Sequence, residues 1–257
     1  MYNYCQLKND NNCNSFLLNL IIAYDIMRLT VLNNALRRIF VNFKLAVFDM
    51  DGTLVDSLIF WDWFWKKCGK EFLNDENFRP DAEDDKAART MLFVDSMSMI
   101  HKKYGIAKSG KELYEYGNKA ISEFYSSVEI KKGVLEYLEY LKSKNIRMCI
   151  ASATETDFIK LALKQCGIEN YFEKIFSCAE VGKGKEEPDI YLEALKYFGV
   201  EAGDACIFED SLIAIETAKK IGVKTVGIYD KNNFGHEKMQ KIADEYISEN
   251  EDLTKLI

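Results

Sequence analysis

The sequence predicts an α/β fold: a Rossmann-like, doubly wound parallel sheet with an inserted all-helical segment. Three observations carry this. Short apolar runs recur from Lys44 onward, and stretches with helical spacing alternate with them. That alternation builds a parallel sheet wrapped on both faces. One long stretch, from about Asp56 to Ile130, has helical spacing and no strand pattern. Finally, 257 residues with 48% hydrophobic content suffice for one large domain, or a core with a modest second one.

The first 43 residues read as an N-terminal extension. An Asn-rich run, Asn9 to Asn14, precedes an apolar stretch from Phe16 to Leu32. Asn19, Asp25 and Arg28 interrupt it, which disfavours a membrane span. No basic start or small-residue cleavage site marks a secretory leader. A peripheral amphipathic helix is expected there, with Met27 as an alternative start. Leu45–Phe48 is the first strand, a short apolar run ended by a turn signal.

In the helical stretch, Phe60/Phe64 and Trp61/Trp65 are i,i+4 pairs. They read as internal packing, with Trp63 on the other face, toward the crevice. Met91, Leu92, Val94, Met97 and Ile100 mark a further helix, and the charged Asp75–Lys86 segment, with Pro80, reads as a loop. Beyond Gly133 a helix is marked by Val134, Leu135, Leu138 and Leu141. Strands are expected at Ile146–Ala151, Ile175–Ser177, Ala205–Phe208, Lys224–Ile228 and Tyr246–Ser248. Helices are expected at Phe158–Cys166, Asp189–Phe198 and Ser211–Ile221, stopped by Gly167, Gly199 and Gly222. The expected division is an extension (1–43), a core (44–55 and 131–257) and a helical cap (56–130).

The densest chemical signal is Val47-Phe48-Asp49-Met50-Asp51-Gly52-Thr53-Leu54-Val55-Asp56. A buried strand breaks open into two aspartates and a Gly-Thr turn. Open α/β sheets place their ligand crevice at such strand ends. Two carboxylates there repel unless a cation or a shared proton compensates. The pattern suits Asp49 as an ionised, metal-bound nucleophile and Asp51 as the carrier of a proton. An acidic turn that only caps a helix is the competing account.

This pattern closely resembles the first motif, Asp-x-Asp-x-Thr, of the haloacid-dehalogenase superfamily of phosphotransferases. Three further strand ends match the family in order. Ser152, in Cys149-Ile150-Ala151-Ser152-Ala153-Thr154, stands at the second motif. The resemblance gives Thr53, Ser152 and Ala153 to the phosphate. Lys185, in Gly184-Lys185-Glu186-Glu187-Pro188-Asp189, stands at the third, as a cation facing carboxylates and phosphate. Glu186 replaces a proline usual in the subgroup, so the loop loses one fixed φ. Lys183 competes for the same role. Ile207-Phe208-Glu209-Asp210-Ser211 supplies the fourth motif. There the resemblance implies Mg²⁺ held by Asp210, Asp49 and the main-chain carbonyl of Asp51, with Glu209 as a further ligand or a holder of metal-bound water.

The long span between the first two motifs resembles the helical cap of the family's first type, which closes over small phosphorylated metabolites. The second aspartate, Asp51, points to phosphate esters rather than to dehalogenation. The implied activity is Mg²⁺-dependent hydrolysis of a phosphomonoester. The rivals are a sugar phosphomutase of the β-phosphoglucomutase type and a non-catalytic binding protein on the same scaffold. Lys86, Arg89, Lys102 and Lys103 are the cap cations open to a mutase's second phosphate.

Composition narrows the partners. A net charge of −7 and no Lys/Arg cluster argue against nucleic acid. Seven cysteines without a C-x-x-C pair read as free thiols in a reducing cytoplasm, and His101 and His236 as surface residues rather than zinc ligands. No membrane partner is expected, and nothing in the sequence fixes an oligomeric state.

Overall fold

The computed structural model describes residues 43–91 and 93–257. The Asn-rich run, the Phe16–Leu32 stretch and Met27 lie outside the described residues. Six parallel strands form one sheet: β1 (Leu45–Phe48), β2 (Arg147–Ser152), β3 (Lys174–Ser177), β4 (Ala205–Glu209), β5 (Lys224–Ile228) and β6 (Glu245–Ile247). Their order is β3-β2-β1-β4-β5-β6. The central strand β1 pairs with β2 and with β4, Val47 opposite both Cys149 and Ile207. Such a strand is covered on both faces, hence its unbroken apolar run.

Alternation along β1 divides the core. Leu45 and Val47 face one layer, with Ile190, Tyr191, Ala194 and Phe198 of α8 (Asp189–Phe198) and Ala214 and Ala218 of α9 (Leu212–Lys220). Phe48 faces the other. It stacks on Phe208 at 4.3 Å, and Tyr137 of α5 (Val134–Ser143) lies 5.5 Å from Phe208. Each such buried aromatic contributes about 1.5–3 kcal/mol of apolar transfer. Phe43, placed in the extension by its sequence position, is buried against Phe208 at 6.2 Å.

Between β1 and α5 the described chain is helical: α1 (Phe60–Cys68) running into a π-helical turn (Gly69–Leu73), α2 (Ala82–Thr90), α3 (Phe93–Tyr104) and α4 (Gly110–Tyr125). These helices bury their own cluster: Phe64, Trp65, Cys68, Ala88, Met97, Ile100, Ile106, Leu113 and Ala120. The expected aromatic pairs form, Phe60 on Phe64 and Trp61 on Trp65, both at 5.4 Å. Trp63 packs on Phe124 at 5.6 Å, with the Lys67 ammonium 5.1 Å from its ring centre.

Three local expectations do not hold. Ala82–Lys86, where the charge and Pro80 predict a loop, is the start of α2. Its first turn holds Glu83, Asp84 and Asp85, which suit a helix N-terminus, so the charge there supports the helix. Helix α3 begins at Phe93; Met91 is extended and Val94 exposed, leaving Ser96, Met97 and Ile100 as the buried face. The two histidines are half-buried rather than superficial. His101 Nδ1–H donates to the Ile106 carbonyl (2.8 Å), and His236 lies 4.4 Å from the Tyr229 ring. The described cysteines are free, as expected, with Cys149 and Cys206 fully buried.

Candidate active site

Asp49 follows β1 directly. Its backbone N–H donates to the Phe208 carbonyl at 2.9 Å, which carries the ladder one residue beyond the strand. That bond sets Asp49 beside the end of β4, where Glu209 and Asp210 stand. The three acids are 6%, 1% and 3% exposed. One oxygen from each lies within 4.8 Å of the other two. Lys185 reaches in from the segment between α7 (Cys178–Val181) and α8. Its ammonium bonds Asp49 Oδ1 and, at 2.5 Å, Glu209 Oε1. Lys183, the competing lysine, pairs instead with Asp189 at the surface.

Three buried carboxylates against one ammonium leave an excess of negative charge, and the ionisation equilibria register it. Burial pushes the Asp49 carboxyl well above the usual range. Lys185 opposes that shift, while Glu209, Asp210 and Asp51 add to it. Asp210 is pushed up to about 7 by burial and by Glu209, against Asn233, Lys185 and Lys131. Burial opposes charge on Lys185, yet Asp49 and Glu209 outweigh it and hold the amine well above its ordinary value. Converging hard oxygens, too closely spaced to ionise together unaided, fit a divalent cation such as Mg²⁺.

The turn after Asp49 is shaped by Gly52, at φ +74°. A Cβ there would meet Asp210 Oδ2 and the Leu58 methyl, so only glycine permits this approach. Leu54 and Val55 N–H donate to the Met50 carbonyl and close the turn. The Thr53 hydroxyl, assigned by sequence to phosphate, donates to Asp210 Oδ1 at 3.3 Å. Ser152 ends β2 fully buried, its Oγ accepting from the Thr154 N–H at 3.1 Å, and Ala153 is exposed beside it. The predicted residues of the four motifs thus gather at the carboxyl end of the sheet.

Residues 46–228 match the family described as haloacid dehalogenase-like hydrolase. The chain belongs to that family. Among curated relatives, this hydrolase is 27% identical to the phosphorylated carbohydrates phosphatase of Thermotoga maritima, over 75% of this chain and 88% of that one. It is 25% identical to the β-phosphoglucomutase of Bacillus subtilis, covering 72% and 83%. Its fold matches CbbY from Rhodobacter sphaeroides, solved with phosphate, at a TM-score of 0.67 and 19% identity, covering 83% and 99%.

Several neighbours of the hydrolase's site had no signal singled out in sequence. Asp51 accepts from three hydroxyls: Ser57 (2.6 Å) and Tyr125 (2.7 Å) on Oδ1, Thr154 (2.7 Å) on Oδ2. Asn233, in the loop after β5, donates to Asp210 Oδ2 at 2.8 Å and to its carbonyl at 3.1 Å. Lys131 donates to the Gly52 carbonyl at 2.6 Å and pairs with buried Asp230. Thr154 and Asn233 each follow a strand end, which is the signal that could have found them. Tyr125 is distant in sequence and had none.

The substitution at Glu186 leaves its loop braced. Thr217 Oγ1 donates to the Glu186 carbonyl (3.1 Å), and Glu187 N–H to the Gly184 carbonyl (3.2 Å). These bonds restrain the backbone where the expected proline would have fixed φ.

Proposed function

We propose that this hydrolase cleaves a small phosphomonoester metabolite, with Mg²⁺, through an aspartyl phosphate on Asp49. The buried cluster of Asp49, Lys185, Glu209 and Asp210 at the sheet's carboxyl end carries the reading. Asp49 would attack phosphorus in line, and the Lys185 ammonium would keep its reacting oxygen aimed and offset charge on the transferring group. Asp51 would protonate the leaving alkoxide, then take a proton from the water that hydrolyses the acyl phosphate. Ser152, the Ala153 backbone and Thr53 would hold the phosphoryl oxygens. Asp49, Asp210, the Asp51 carbonyl and Glu209, directly or through water, would hold Mg²⁺, with Asn233 orienting Asp210. Bound there, the cation supplies electrostatic stabilisation of phosphoryl charge.

The phosphatase named among the relatives supports hydrolysis, while the mutase at 25% identity keeps transfer between sugar hydroxyls as the second reading. Of the four cap cations, Arg89 is engaged by Asp85 and Asp62, and Lys103 by Asp84, which leaves fewer of them for a second phosphate. The buried free thiols Cys149 and Cys206 suit a reducing compartment, the cytoplasm. Among the described residues no helix is long and apolar enough to cross a membrane. The test is phosphate release from a panel of small phosphomonoesters, with Mg²⁺ and with chelator. Metal-dependent release is expected. No phosphate release, with positional isomerisation of a sugar monophosphate once a sugar bisphosphate is added, would favour the mutase, and neither release nor isomerisation would overturn both.

A further inference from the structure

The far end of the helical segment sends Tyr125 onto the proposed proton carrier. It is the last residue of α4 and is buried. Its ring stacks on Phe158 of α6 (Thr156–Gln165) at 6.1 Å and meets Phe124 edge-on at 5.8 Å. Packing on two sides fixes where its hydroxyl points: onto Asp51 Oδ1. Ser57 donates to the same oxygen, and Thr154 to the other.

These donors differ in what they move with. Thr154 belongs to the loop after β2. Ser57 lies where the chain leaves the sheet for the helices, and Tyr125 where it prepares to return. The two crossings are bonded to each other, Asp56 N–H to the Glu129 carbonyl and Lys131 N–H to the Leu54 carbonyl, both at 2.9 Å. The Asp51 carboxyl is therefore gripped from both the helical segment and the sheet.

We infer that Tyr125 is a positioning residue for proton transfer by Asp51, and that it ties the aim of that carboxyl to the seating of the helices. The inference rests on the phosphatase reading above. In the step concerned, an Asp49 oxygen bonds to phosphorus and the phosphorus–oxygen ester bond breaks. Its electron pair goes to the ester oxygen, which takes the proton from the Asp51 carboxyl. An alkoxide leaves poorly without that proton, whereas a stabilised aryloxide leaves without it. Loosening the aim of Asp51 therefore penalises alkyl esters more than activated aryl esters. General damage to the fold penalises both alike.

The experiment compares wild type with Tyr125→Phe, in Mg²⁺, on the best alkyl phosphate of the panel and on para-nitrophenyl phosphate. The phenylalanine keeps the ring and its stacking and removes only the hydroxyl. The kcat/KM on the alkyl ester, which covers the steps through loss of the alcohol and leaves out the shared hydrolysis of the aspartyl phosphate, is expected to fall roughly tenfold further than on the aryl ester. Equal losses on the two esters, or no loss, overturn the role of Tyr125 and leave the phosphatase reading standing. Wild type that releases phosphate from neither ester overturns both. If Tyr125→Phe does not fold, fluorotyrosine at position 125, which changes the donor and keeps the ring, replaces it. A changed alkyl-to-aryl ratio then supports the role, and an unchanged ratio overturns it.

Discussion

Lys185 neutralises two acids at once, and its removal separates its role from that of a surface lysine. Lys185→Met strands Asp49 and Glu209 as buried carboxylates without their ammonium. Stability is expected to fall by about 3–5 kcal/mol in denaturant titration, and phosphate release by about a hundredfold or more. Lys183→Met, which breaks an exposed pair with Asp189, is expected to leave stability and phosphate release close to wild type. Gly52→Ala forces a side chain against Asp210 at positive φ, and about 1–3 kcal/mol of destabilisation with weakened Mg²⁺ binding is expected by the same titration and by calorimetry. Asp210 makes a prediction in pH. Its folded value of about 7 lies above the unfolded value of about 3.9. Its stabilising effect is complete below the unfolded value, falls away as pH rises, and is lost above about 7. Without metal, stability should therefore drop by about 1 kcal/mol per pH unit across that window. A cation takes the proton's place, so the rise in Tm caused by Mg²⁺ should be larger near pH 8 than near pH 5. An equal rise at both would contradict the assignment. The acids and Lys185 were legible in sequence because each follows a short apolar run or precedes a Pro-Asp helix start. Tyr125 and Ser57 were not, because their relation to Asp51 exists only once the helices are seated.

At the scale of elements, helix α1 shows what aromatic spacing can determine. Phe60, Trp61, Phe64 and Trp65 repeat at four residues, and the pairs formed as the spacing requires. Buried Trp65 also donates from Nε1 to Asp85 Oδ1 of α2 at 2.5 Å. Trp65→Phe removes that donor and part of the ring, and about 1–3 kcal/mol of destabilisation is expected, with faster hydrogen exchange in α1 and α2. Exchange unchanged in both helices would show that the bond does not tie them. Strand positions were legible to within a residue or so, since apolar runs in a parallel sheet are continuous. The start of α2 was not. Pro80 and a run of acids resemble a loop in isolation, and only the partners that Asp84 and Asp85 find on Lys103, Tyr104, Trp65 and Arg89 show why the segment is helical.

Across the whole molecule, the strand order does the assembling. Because β1 lies between β2 and β4 and all run parallel, every carboxyl end meets at one edge of the sheet. Asp49, Ser152 and Glu209, far apart in sequence, become neighbours for that reason, and Lys185 drops in from the loop beyond β3. The helices between β1 and α5 then bring Tyr125 to the same edge, onto Asp51. The substrate's identity was not legible, because the shape of that edge depends on helix packing that no local pattern records. The central claim is a covalent intermediate on Asp49, and rapid quench with a radiolabelled phosphomonoester in Mg²⁺ tests it most directly. The account predicts label bound to the protein, released by hydroxylamine, mapped to the peptide containing Asp49 and absent from Asp49→Asn. Turnover of that ester with no trapped label, or Asp49→Asn retaining wild-type turnover, would contradict it.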